Sequence, residues 1–77
     1  RGERTPGRDI LLRTALALRL SLKETQRLLA VGGCGALYPR VRRDAAMIFA
    51  LNQNMTLLET EELLASLPER SLYAGEL

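Results

Sequence analysis

The 77 residues predict an all-α domain of two similar helical hairpins, four helices in a small bundle. Three observations lead there. Leucine and alanine dominate a 47% hydrophobic composition with few aromatics (Tyr38, Phe49, Tyr73), which favours helix. Helix-start signals recur along the chain. The phrase "SLKETQRLLA" (Ser21 to Ala30) also returns 35 positions later as "TLLETEELLA" (Thr56 to Ala65).

The first helix opens at "TPGRD", where Thr5 suits the N-cap and Pro6 the first helical position. Leu12, Ala15, Leu16 and Leu20 then form a helical stripe, so this helix is expected to end near Leu20. Ser21 with Glu24 reads as a capping box: the hydroxyl accepts from one free amide and the carboxylate from another. The second helix starts at Leu22 and stops at Gly32 and Gly33, where left-handed backbone costs little. "CGALYP" reads as a loop. Pro39 is expected to open a third helix to about Asn52, with Val41, Ala45, Ile48 and Phe49 on one face. Thr56 and Glu59 form a second capping box, and the fourth helix runs to about Ser66 before Pro68 stops it. The hairpins are thus 1–33 and 34–67. The remainder, 68–77, reads as a loose tail with Leu72 and Tyr73 as its docking candidates.

Aligning Arg8–Ala30 on Arg43–Ala65 gives ten identities in 23 positions, mostly caps and core residues. One hairpin is therefore spelled twice. Two copies fall short of the roughly three that a free solenoid needs, so the hairpins are expected to pack on each other or on a neighbour.

Charge divides the copies. From Arg1 to Arg43 ten Lys/Arg oppose three acids (+7); from Asp44 to Leu77 one Arg opposes six (−5). Basic residues cluster before helix starts: Arg1, Arg4 and Arg8, then Arg40, Arg42 and Arg43. Free amides and the helix dipole already attract anions there, and arginine's planar fork clamps phosphate oxygens. The recurrence of Arg8–Asp9 and Arg43–Asp44 also admits a structural pairing within each hairpin.

Catalysis finds no support. Histidine is absent and Cys34 is alone, so an N/S metal site is not expected, and neither is a cofactor or a small-molecule substrate. Glu24 and Glu59 are explained by capping. "GGCG" lacks the lysine and preceding strand of a phosphate loop. With a single cysteine no internal disulfide can form; a reducing, cytoplasmic setting is expected. No apolar run approaches membrane-spanning length.

The stretch Gly2 to Leu29 resembles the C-terminal end of the lambda-repressor-like, XRE-type helix-turn-helix domain. The matching slots hold Gly2, Arg4, Pro6, Leu11, Ala15, Leu18, Leu20, Ser21, Leu28 and Leu29. The region from Tyr38 to Leu67 resembles an extra hairpin following that domain in some small bacterial regulators. The resemblance implies a lambda-repressor-like C-terminal half: the family's fourth and fifth helices plus an added pair, without the helix that reads bases in the major groove. It implies a scaffold in a bacterial transcription regulator that contacts duplex DNA through its phosphates, which position without specifying sequence. The contact set is Arg1, Arg4, Thr5, Gly7 and Arg8, joined by Arg40, Arg42 and Arg43, and the acidic half leaves room for a homodimer. Two other readings stand beside this one. The second and third helices with "GGCGALY" could mimic a helix-turn-helix, although the loop is long for that motif. The chain could instead be a protein–protein interaction module without nucleic acid, its grooves anchored by leucines, Met47 and Phe49.

Overall fold

A computed structural model describes residues 6–74. The element order is α1 (Pro6–Ala17), α2 (Leu22–Val31), α3 (Arg42–Asn52) and α4 (Leu57–Ser66), with no strand among the described residues. The all-α, four-helix expectation holds. α1 packs on α2, α3 packs on α4, and each hairpin also touches the other through α1–α4 and α2–α3.

Both capping boxes form with the same geometry. Ser21 N–H donates to Glu24 Oε1 (2.8 Å) and Glu24 N–H to Ser21 Oγ (3.1 Å). Thr56 and Glu59 repeat both distances. Thr25 and Thr60, fully buried just inside each box, donate their hydroxyls to the N-cap carbonyls at 2.8 Å. That bond lets a polar side chain sit in the core without an unmet donor.

α1 is shorter than the stripe suggested. Arg19 takes a left-handed conformation (φ 60°), and its twin Asn54 does the same (φ 54°). Leu20 N–H then reaches Ala15 C=O (2.9 Å) and Met55 N–H reaches Ala50 C=O (3.0 Å). These are Schellman closures, and they leave Leu20 outside the helix although it still faces the core. Gly33 (φ 72°) closes α2 in the same way, with Cys34 N–H on Leu29 C=O at 2.8 Å.

α3 also starts later than expected. Tyr38 to Val41 form a turn, with Val41 N–H on Tyr38 C=O (3.1 Å), and the helix begins at Arg42. Its buried residues are Arg43, Asp44, Ala46, Met47, Ala50 and Leu51. The expected face of Val41, Ala45, Ile48 and Phe49 is therefore corrected: Val41 and Phe49 are exposed, Phe49 at 53%. Two helical stripes were available on α3. Burial of the Arg43–Asp44 pair selects the other one, which matches the α1 stripe (Leu12, Ala15, Leu16) at the 35-residue offset.

The repeat extends beyond its sequence identities. Gln26 grips Leu37 by backbone, donating to its C=O (3.0 Å) and accepting from its N–H (2.8 Å). Its twin Glu61 accepts from Leu72 N–H (2.9 Å) and Ser71 Oγ (2.6 Å). Leu37 and Leu72 are both driven into the core, Leu72 at 1% exposure. Residues 69–74 of the expected loose tail are thus docked by a buried leucine and a carboxylate grip.

The copies also trade volumes. A Cβ on Gly32 would lie 2.6 Å from Leu11 Cδ1. At the twin positions the sizes are reversed, with Ala46 for Leu11 and Leu67 for Gly32. Gly32 has an ordinary φ of −80°, so a side chain there meets no backbone strain and must instead displace the Leu11 methyl. Gly32→Leu is expected to cost about 1–3 kcal/mol in urea unfolding, and Leu11→Ala added to it to recover most of that loss. Arg19→Gly, at a left-handed position, is expected to raise stability by about 1 kcal/mol in the same assay.

Candidate nucleic-acid interface

The α1 and α3 N-termini, where phosphate contacts were expected, are built around two arginine–aspartate pairs. Arg8 Nη1 and Nη2 donate to Asp44 Oδ1 and Oδ2 at 3.3 and 3.1 Å. Arg43 Nη1 donates to Asp9 Oδ1 at 3.1 Å. Each arginine of one hairpin thus takes the aspartate of the other, crosswise. Both also catch a loop. Arg8 Nε and Nη2 donate to Gly35 and Ala36 C=O (3.2 and 3.1 Å). Arg43 Nε and Nη2 donate to Arg70 and Ser71 C=O (2.9 and 3.1 Å), the twins of those carbonyls. Asp44 Oδ2 further accepts from Tyr38 N–H at 3.1 Å. The pairing expected inside each hairpin is therefore a clasp between hairpins.

This geometry redistributes the expected contact set. The Arg43 side chain is 9% exposed and its donors face inward, so it has no edge to offer a phosphate. Arg8 spends Nε and both terminal nitrogens on Asp44 and the loop carbonyls. Both residues brace the two hairpins against each other in this structure. Arg42 is 68% exposed but its Nε pairs with Glu69 Oε2 at 2.9 Å. Arg40 and Gly7 are exposed. Arg1, Arg4 and Thr5 lie outside the described residues.

A different basic feature was missed from the sequence. Arg19, Lys23 and Arg27 are all exposed; Lys23 and Arg27, four apart, share one side of α2, and Arg19 stands at the α1–α2 corner before it. That spacing is the signal the sequence carries, and it lies away from the basic clusters before the helix starts. Arg13 instead stacks its guanidinium on Tyr73, 4.2 Å from the ring centroid, and so helps dock the C-terminal segment on α1.

The seam between hairpins, lined by Ala15, Leu16, Leu20, Leu51 and Met55 with Arg19 and Asn54, has no room for a ligand. A more open groove of about 540 Å³ lies on the second hairpin, lined by Phe49, Gln53, Met55, Glu59, Glu62 and Leu63. Met47, expected as a partner anchor, is fully buried in the core and cannot serve as one. Among the described residues no group of three or more His, Cys, Asp or Glu is placed to hold a metal ion, and no helix is long and apolar enough to cross a membrane.

Truncating one member of a largely buried ion pair strands the other. Asp44→Ala is expected to destabilise by about 3 kcal/mol. A double-mutant cycle with Arg8→Ala should return a coupling of about 1.5 kcal/mol, whereas independent surface charges would return none. Comparison with protein-family models, curated proteins and solved structures finds no match to this chain.

Proposed function

We propose that this chain is the C-terminal scaffold of a bacterial DNA-binding transcription regulator of the helix-turn-helix type. It packs behind the base-reading helices and adds phosphate contacts of its own. The observation that carries the reading is the outward side of α1. Ile10 and Ala17 are exposed there with Leu18 just past its end, Leu18 at 64%, within the segment that resembles the end of the XRE-type domain. A scaffold needs such an apolar face to receive neighbouring helices. The phosphate contacts belong to Arg1, Arg4, Thr5, Gly7 and Arg40, with Arg42 beside Glu69. Arg8 and Arg43 act at one remove by bracing the starts of α1 and α3.

A second reading, a protein–protein interaction module without nucleic acid, is favoured by the groove beside Phe49. Its anchors are Phe49, Met55 and Leu63 in place of Met47.

Salt titration of duplex binding by the native protein separates the two. On the DNA reading affinity falls steeply with salt, and Arg4→Ala lowers the slope of that dependence by about one unit. Arg43→Ala lowers stability but leaves the slope unchanged. Affinity insensitive to salt, or the absence of duplex binding, favours the interaction module.

A further inference from the structure

We propose that the groove between α3 and α4 is a docking site for a cationic amphipathic helix of another protein. It takes an apolar side chain against Phe49, Met55 and Leu63, and basic residues at Glu59 and Glu62. The inference gives the interaction reading its surface and partner chemistry, and it does not depend on the DNA reading.

The first hairpin acts as an internal control. It has the same caps, closures and core as the second, so a residue in one copy shows what the fold tolerates at the twin position. The twin of Phe49 is Thr14, which is exposed like Phe49 itself. Packing therefore does not require an aromatic ring at this place, yet Phe49 stands 53% exposed at the edge of a groove of about 540 Å³. The twin of Glu62 is Arg27, so the fold is equally indifferent to the sign of charge there. Glu59 caps α4 through Oε1, and the residue is exposed and lines the groove, so its charge still faces it.

An exposed aromatic beside a half-buried methionine makes a strong anchor, since both supply large contact area. Two glutamates on the rim select the sign of the occupant: a basic helix gains attraction on approach, and an acidic one is repelled. A helix is the fitting shape because the groove is lined by α3 and α4, and an amphipathic helix lays one apolar face into such a surface.

The test uses a fluorescein-labelled leucine–lysine amphipathic helix of about four turns, read by fluorescence anisotropy. A leucine–glutamate peptide of the same pattern is the control. Phe49→Thr and Glu62→Arg place each twin's residue type (Thr14, Arg27) at these sites, so the fold is expected to survive; circular dichroism and urea unfolding check that. The proposal expects the lysine peptide to bind, the glutamate peptide not to bind, and each variant to weaken binding about tenfold, with added salt weakening it further. Equal binding of the two peptides overturns it, as does binding unchanged in folded Phe49→Thr and Glu62→Arg. Self-association of the chain that both substitutions abolish overturns it too, because the occupant is then a second copy. No outcome bears on duplex binding, so failure here and failure of the DNA reading remain distinct.

Discussion

Two arginines reaching across to two aspartates hold this fold together. A small domain has little apolar area to bury, and four charges taken largely out of water are costly unless every lone pair and proton finds a partner. Here the partners are close at hand. Arg8 and Arg43 each spread their donors over a carboxylate and two loop carbonyls, and Asp44 also takes the Tyr38 amide. The clasp therefore joins more than two hairpins. It fixes the loop after α2, the segment after α4 and the starts of α1 and α3 at one place. Its crosswise pattern, in which each copy gives what it receives, is what a two-fold relation between like units produces.

The rest of the architecture follows from that relation. Once the Arg–Asp dipeptides are matched, Leu12 and Met47, Leu29 and Leu64, and Leu37 and Leu72 fall at twin places in one core. At one contact the copies differ in a compensated way: Leu11 fills the space that Gly32 leaves, while at the twin positions Leu67 is the large residue and Ala46 the small one. Jigsaw packing forbids a large residue at both members of a contact and leaves a void if both are small. Outside the core and the caps, side-chain identity is less constrained. Arg27 and Glu62, Thr14 and Phe49, and Arg19 and Asn54 differ between the copies at exposed positions.

The basic half means something different in three dimensions. Counted along the chain, Arg8 and Arg43 belong to a phosphate-facing cluster. In space they neutralise Asp44 and Asp9 and cover backbone carbonyls. The exposed cations of the described surface are Lys23 and Arg27 on α2, Arg19 at the corner before it, Arg40, Arg70, and Arg42 beside Glu69. Net charge limits what partners a protein attracts, but only burial says which charges remain to attract them.

Caps, helix number, hairpin duplication and the glycine-closed end of α2 were legible in the sequence, because each is set by residues within about four positions of one another or by a repeat of such a set. The Leu37 and Leu72 plugs left a weaker trace, the paired "ALY" and "SLY" at the repeat offset. The α3 register, the crossing of the arginine–aspartate pairs, the end of α1 at a left-handed arginine and the shape of the Phe49 groove were legible only in the tertiary structure. The first two depend on where the second hairpin sits against the first, the groove on how α4 packs against α3, and the end of α1 on a local closure that its apolar stripe does not mark. Local rules cannot choose between two apolar stripes on one helix, or between two aspartates for one arginine. Only the packing of distant segments removes one alternative from water and leaves the other in it.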